Sequence, residues 1–462
     1  MSTVAAISTG RAPGGIGVIR ISGENAIDVA DKVFSSFNGK KLCDIPGYSA
    51  LYGKAFDVKG NIDNVVALLF RAPKSYTGED VVEISCHGGL FVTDKVLKAV
   101  YDAGAIPAEA GEFTKRAFLN GKMDLTSAES VMNIISAQGE QAEKIALGVL
   151  EGRLFKEIKK INDKLVYDLA LLSAWVDYPY EEIEDLSDNN LKEHITNSIN
   201  SLEKLINDFD KGQIIMEGVD TAIVGCPNVG KSTLMNLLSG TEKSIVTEIA
   251  GTTRDIVEDT VNVGGITLRL ADTAGVRETE DVVESIGVDR AVKRLESAEL
   301  VLAVFDATRE LNEQDKKLIE LCKSKKSIGI VNKTDVDKNY LNGEIEKNFS
   351  QTVFISAKTG KGKEELTKAI EQTLGTADFD TTATAIVNDR QCDCCKKALD
   401  ALREAENALE FGMTMDAVTV CLDSAIENLM ILTGEKATEL VVNEIFAQFC
   451  VGKYQIVSNY LS

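Results

Sequence analysis

The chain has 462 residues, 44% of them hydrophobic and 26% charged, which suits about three domains with cores of their own. A formal net charge of −22 favours solubility and argues against a broad nucleic-acid-binding surface. No apolar run reaches the ~18 residues needed to span a bilayer, and Met1-Ser2-Thr3 starts no signal peptide. Nine cysteines without a framework spacing read as reduced thiols, so a cytoplasmic protein without a membrane partner is expected.

Residues 1–120 carry 13 Lys/Arg and 13 Asp/Glu, against 37 and 59 in the remainder, so RNA would be least repelled here. Val4-Ala5-Ala6-Ile7 reads as a strand, Gly10–Gly15 as a loop, and Ile16–Ser22 as a second strand carrying Arg20 among apolar neighbours. Val65–Phe70 and Val81–Ser85 are further strands and Leu90–Tyr101 a helix, giving a mixed α/β domain. An arginine in such a setting is most often an edge-strand charge or half of an ion pair. Glu83 and His87 are residue types that catalysis uses, but a lone histidine before Gly88-Gly89 is more often a turn or capping residue.

From about residue 121 the pattern turns helical. Leu147, Leu150, Leu154, Ile158, Ile161, Leu165, Leu169 and Leu172 recur at steps of three and four, predicting one long helix with a single apolar stripe. Asp177–Asp188 holds six acids and no base, with Pro179 breaking the helix, and reads as a solvated connection. Helix is predicted again over Leu191–Phe209 and, after Ala377, through Leu399, Leu402, Ala405, Leu409, Val418, Cys421, Leu422, Ala425, Ile426 and Leu429. Helix on both sides suggests one helical domain into which another is inserted. Cys392-Asp393-Cys394-Cys395 lacks a second cysteine pair in a chain with two histidines, so it is not read as a metal site.

The inserted segment carries the clearest chemistry. Gly225-Cys226-Pro227-Asn228-Val229-Gly230-Lys231-Ser232 fits the phosphate-cradling pattern between a strand, Thr221–Val224, and a helix opening at Thr233. Its glycines let amide N–H groups converge on an anion, Lys231 adds charge on the β- and γ-phosphates, and Ser232 offers Mg²⁺ a hydroxyl. Asp272-Thr273-Ala274-Gly275 follows the apolar Ile266–Ala271 and suits Mg²⁺ and the γ-phosphate. Asn332-Lys333-Thr334-Asp335 follows Ser327–Val331, and its carboxylate can accept two hydrogen bonds that guanine offers and adenine does not. Ser356-Ala357-Lys358 follows Val353–Ile355 and suits the guanine oxygen. Four such elements at strand ends predict GTP binding.

For hydrolysis the reading is less complete. The residue after Asp-x-x-Gly is Val276, which cannot orient water as a Gln does. The charged loop Arg277–Glu284 offers several carboxylates, and spacing selects none. Arg254 and Arg277 are in-chain candidates to neutralise the transition state; a monovalent cation held by Asn228 is the other, with a plain P-loop hydrogen bond the simpler use of that amide. Loop 247–253 can close over the phosphates, Thr253 adding a second hydroxyl for Mg²⁺.

Taken whole, the sequence resembles the MnmE (TrmE) tRNA-modification GTPases from about residue 4 to 453. The likeness rests on Gly14–Gly23, on Ser75–Glu83 with His87-Gly88-Gly89, on Gly111–Leu125, on the inserted GTP-binding segment and on Phe449-Cys450-Val451-Gly452-Lys453. It implies a multidomain α/β and all-α protein: an N-terminal α/β folate-binding and dimerisation domain (1–120), a helical domain in two parts (121–215 and 378–462), and an inserted P-loop, Ras-like G domain (216–377). It further implies K⁺-dependent GTP hydrolysis and, with an FAD-containing MnmG-type partner in a heterotetramer, an aminomethyl or carboxymethylaminomethyl group placed on C5 of the wobble uridine of certain tRNAs. 5-Formyl- or methylene-tetrahydrofolate would supply the one-carbon unit.

By the same resemblance, K⁺ ligands fall on Asn228, Thr247, Ile249 and Thr252, and Mg²⁺ ligands on Ser232 and Thr253. The water-orienting acid falls on Glu284. GTP contacts fall on Asn228, Val229, Gly230, Lys231, Ser232, Thr233, Thr247, Glu248, Ile249, Ala250, Gly251, Thr252, Thr253, Asp272, Thr273, Ala274, Gly275, Asn332, Lys333, Asp335, Ser356, Ala357 and Lys358. Folate contacts fall on Arg20, Glu83, Lys122 and Lys453, and Cys450 matches the family's C-terminal cysteine. Two departures stand out: Tyr454–Ser462 extend past the usual end, and Glu109-Ala110 replace the usual Arg-Pro. The alternative from another class is a regulatory or ribosome-assembly GTPase switch that binds RNA without modifying it.

Overall fold

In the computed structural model of the chain, residues 2–177, 188–240, 259–270, 295, 297–336, 343–447 and 449 are described. They fall into two compact units, one from residues up to 132 with those from 433 onward, the other from 133–432.

In the first unit, β1 (Val4–Ile7), β2 (Ile16–Ser22), β3 (Phe34–Ser36), β4 (Ser49–Asp57), β5 (Gly60–Phe70), β6 (Val81–His87) and β7 (Ile106–Pro107) form one sheet in the order β3-β4-β5-β6-β2-β1-β7. Neighbours pair antiparallel except β1 with β7. The period-two alternation sends Ile19, Ile21, Val82, Ile84, Ala67 and Leu69 to one face, into a core with Val29 of α1 (Ala26–Val33) and Val96 of α2 (Leu90–Asp102). Each such burial contributes roughly 1.5–3 kcal/mol. Arg20 and Glu83 stand directly opposite each other on β2 and β6, at positions alternate to that core. α3 (Glu112–Leu119) and the start of α4 (Leu125–Ser136) follow; Leu125 and Ala128 pack with Val442, Phe446 and Phe449 near the C-terminal end.

The second unit opens with helices. The long helix expected over residues 147–172 is two: α5 (Glu140–Leu150) and α6 (Arg153–Asp177). Gly152 sits between them at φ +77°, and its N–H donates to Val149 O at 2.9 Å. A glycine in the left-handed region stops the first helix and re-aims the chain. Leu147 therefore leaves the stripe and is 45% exposed, whereas Leu154, Ile158, Leu165 and Leu172 are buried. Likewise the helix expected over Leu191–Phe209 ends at Asn207 in α7 (Asp188–Asn207), and Asp208 turns the chain into α8 (Phe209–Glu217).

Leu154, Ile158, Ile195 and Leu202 share one core with Leu399, Leu402, Leu422 and Leu429, which come from the far side of the nucleotide segment. Cys392, Cys394 and Cys395 are buried in that core, and among the described residues no cluster could hold a metal ion.

The nucleotide segment builds a six-stranded sheet from β8 (Val219–Val224), β9 (Asp259–Val263), β10 (Ile266–Leu270), β11 (Leu300–Asp306), β12 (Lys326–Asn332) and β13 (Gln351–Phe354). The order is β13-β12-β11-β8-β10-β9, parallel except for the β9–β10 hairpin. β11 is buried along its whole length because the sheet is covered on both faces, Leu302 and Val304 belonging to one cluster and Val301, Ala303 and Phe305 to the other. Strand order reverses beside β8, the crevice position where open α/β sheets bind ligands.

Candidate functional site

β8 delivers the chain into Gly225–Gly230, and α9 (Lys231–Ser239) starts on the other side. Two glycines are dictated by their neighbours. A Cβ on Gly225 would lie 2.5 Å from Val304 O. On Gly230, at φ +97°, a Cβ would stand in contact with the Asn332 side-chain nitrogen. Asn228 takes φ +63°, a conformation asparagine tolerates better than most residues. Lys231 is tucked inside the loop, donating from Nζ to Gly225 O (2.9 Å) and Cys226 O (2.8 Å). Burial pushes its ammonium pKa down. Glycine cradle, enclosed lysine and helix N-terminus together fit a nucleotide polyphosphate with its Mg²⁺.

The base-side motifs meet this loop through one amide. Asn332, 2% exposed at the end of β12, donates from Nδ2 to Val229 O (2.9 Å), and its Oδ1 accepts the Ala357 N–H (2.9 Å). A single side chain thus ties together the P-loop, Asn332–Asp335 and the Ser356–Lys358 turn. Lys333, at φ +67°, donates from Nζ to Asn228 O (2.7 Å) and to Asp306 Oδ2 (2.6 Å). A hydrogen bond from Ser356 holds the Asp335 carboxyl below its usual range. The turn is closed by Ser356 N–H to Lys361 O at 2.9 Å.

In the N-terminal unit, Arg20 Nε donates to Glu83 Oε1 at 2.8 Å. The guanidinium carbon lies 5.4 Å from the Tyr76 ring centroid and 5.3 Å from that of Phe113. Tyr76 belongs to the loop between β5 and β6, and its hydroxyl bonds Thr114 of α3 at 2.9 Å. Lys122 Nζ reaches Pro73 O of the same loop at 3.0 Å. Arg20, Glu83 and Lys122 therefore gather around one loop. His87 is the last residue of β6, opposite Ile16, and not a turn or capping residue: its ring is exposed with Nδ1 2.8 Å from Asp63, and Gly89 takes the cap of α2.

Comparison with known sequences decides the family. Residues 3–122 match the family described as GTP-binding protein TrmE N-terminus, and residues 125–450 match the MnmE helical domain. The tRNA modification GTPase MnmE of Clostridioides difficile (strain 630) is 40% identical over 454 residues, covering 98% of this chain and 99% of the relative. That of Oceanobacillus iheyensis is 42% identical over 458 residues (98% and 99%), and that of Lactococcus lactis subsp. lactis (strain IL1403) 41% over 453 (98% and 98%). The chain belongs to the MnmE family.

Of the residues matched to MnmE motifs, Asn228, Val229, Gly230, Lys231, Ser232 and Thr233 lie in the loop and first turn after β8, Asn332 is the last residue of β12, and Lys333, Asp335, Ser356, Ala357 and Lys358 lie in the turns after β12 and β13. Thr247, Glu248, Ile249, Ala250, Gly251, Thr252, Thr253, Asp272, Thr273, Ala274, Gly275, Glu284, Cys450 and Lys453 lie outside the described residues, as do Arg254, Val276, Arg277 and the Tyr454–Ser462 tail.

Sequence reasoning missed two supporting networks. Arg116, 4% exposed on α3, donates to Glu79 (3.0 and 3.1 Å), to Glu112 (2.6 and 3.1 Å) and to Ser2 O (2.8 Å). Glu79 also accepts the Ser22 hydroxyl at 2.7 Å, so this cluster fixes the Tyr76 loop against α3 and β2. The second network lies under the P-loop, where the Cys226 thiol meets Asp315 Oδ1 at 3.0 Å and Arg309 grips the same carboxylate at 2.6 and 3.2 Å. Asp315 also caps its helix reciprocally with Asn312, and that spacing is a signal the sequence does carry.

Proposed function

We propose that this protein is a K⁺-dependent GTPase that acts with an MnmG-type FAD partner. Together they add an aminomethyl or carboxymethylaminomethyl group at C5 of the wobble uridine of certain tRNAs. The observation that carries the nucleotide half is the buried Asn332 amide, which joins the phosphate loop to both base-recognition turns. In this reading Asp335 accepts from the guanine edge, Lys231 leaves its two loop carbonyls for the β- and γ-phosphates, and Ser232 and Thr253 hold Mg²⁺. K⁺ takes Asn228, Thr247, Ile249 and Thr252, and Glu284 orients the attacking water. Bound K⁺ supplies the positive charge that an arginine finger supplies in other GTPases.

Domain assignments of 1–120, 121–215 with 378–462, and 216–377, and a homodimer joined through the first of these, belong to the same proposal. So does 5-formyl- or methylene-tetrahydrofolate at Arg20, Glu83, Lys122 and Lys453. A guanidinium flanked by two aromatic rings and paired with a carboxylate suits a flat heterocycle rich in donors and acceptors, so the donor set fits. Bound there, the folate would supply the one-carbon unit; Arg20 and Glu83 would orient it.

The deciding experiment is nucleoside analysis of tRNA from cells lacking this protein, with and without the flavoprotein partner. Loss of the C5-modified wobble uridine is expected; unaltered tRNA overturns the proposal. Calorimetry with a reduced folate separates it from an RNA-binding switch, for which no binding at millimolar ligand is the expected result.

A further inference from the structure

Asp306 ends β11 and belongs to none of the nucleotide motifs. It is 8% exposed, and its two carboxylate oxygens have separate tasks. Oδ1 accepts the Thr308 N–H (2.9 Å) and hydroxyl (2.7 Å), which fixes the carboxylate plane. Oδ2 accepts from Lys333 Nζ at 2.6 Å, and the same ammonium donates to Asn228 O at 2.7 Å. The strand register supports the placement: Asp306 pairs with Asn332 across β11 and β12, and Ala307 N–H donates to Asn332 O at 2.9 Å. The nearby cation Arg309 is engaged by Asp315 and does not compete.

We propose that Asp306 is a positioning residue for the guanine nucleotide, acting through Lys333 on the P-loop carbonyl of Asn228. This rests on the GTPase reading above. Lys333 and Asn228 both hold left-handed backbone, which non-glycine residues keep only where their surroundings fix it. The relay of carboxylate, ammonium and carbonyl supplies that fixing with two charge-assisted hydrogen bonds. Without the carboxylate, Lys333 loses its counter-charge and Asn228 its restraint. Contacts common to GDP and GTP then weaken, more than the γ-phosphate step does.

The test is a double-mutant cycle on the full chain, with GDP affinity measured by calorimetry for wild type, D306N, K333M and the double variant. D306N is expected to weaken GDP about tenfold alone and less than about twofold in the K333M background. With GTP, D306N should raise KM more than it lowers kcat. D306E, which keeps the charge, should retain more affinity than D306N and controls for simple misfolding. A D306N affinity within about twofold of wild type, an equal loss in both backgrounds, or a D306E loss matching that of D306N overturns the proposal. Wild-type protein that binds neither GDP nor GTP would instead overturn the GTPase reading beneath it.

Discussion

Arg116 and Asp315 are buried charges, each held by several partners. Arg116 is enclosed by Glu79 and Glu112, so truncating it leaves two largely enclosed carboxylates without their counter-charge. Arg116→Met should cost about 3–5 kcal/mol of stability in urea unfolding, and a loss below about 1 kcal/mol would mean that the cluster is replaceable. Asp315 makes a pH prediction. Burial pushes its carboxyl up, but hydrogen bonds from Arg309, Cys226 and the Asn312 N–H outweigh this, and the net shift is down. A carboxyl depressed in the folded state contributes stability above the ordinary carboxylate pKa, and that contribution is lost as pH falls through the folded value. Melting of the full chain should therefore show a destabilisation below about pH 4 that Arg309→Met diminishes. Equal acid sensitivity in both proteins would remove Asp315 from the explanation. Only the local parts of these clusters, the Asn312/Asp315 cap and the Glu112/Arg116 spacing, were legible in the sequence, because Arg116–Glu79 and Cys226–Asp315 are 37 and 89 residues apart and only folding makes them neighbours.

At the level of elements, two glycines show why one residue type has different consequences. Gly152 lies between α5 and α6 with φ +77° and nothing within 4 Å of an added Cβ. Gly152→Ala should cost only the strained backbone, about 1 kcal/mol in thermal or urea unfolding. Gly225 would drive its Cβ against the carbonyl of Val304 on the neighbouring strand. Gly225→Ala must displace β11 or the loop, and GDP binding should weaken at least about tenfold. Retained affinity would show that the loop can shift without penalty. The strands around these turns were readable from their apolar runs, and the nucleotide motifs from their fixed residues. The split helix was not, since Gly152 interrupts a stripe whose spacing continues across it.

For the molecule as a whole, hydrolysis calls on residues from several segments. GTP turnover should be several-fold faster in KCl than in NaCl at equal ionic strength, and equal rates would count against the Asn228 cation site. Glu284→Ala should leave GTP affinity near wild type while turnover collapses; unchanged turnover would assign the water to another acid between Arg277 and Asp281. The described core of the helical region draws Leu154 and Leu402 from opposite sides of the nucleotide segment, so that region cannot complete its core from one stretch of chain. Cutting the chain at residue 215 should therefore leave the preceding helices with exposed apolar faces and a broadened thermal transition, detectable by calorimetry.

The sequence by itself determined the nucleotide motifs, the strand-and-helix pattern around them and the family, because each depends on residues close together in the chain or on fixed spacing. Tertiary structure decided which polar groups meet: Arg20 with Glu83 and two rings, Asn332 across three loops, Asp306 behind Lys333. Such pairings depend on strand register and loop direction, which are set by burying one face of each element, and no local spacing encodes them.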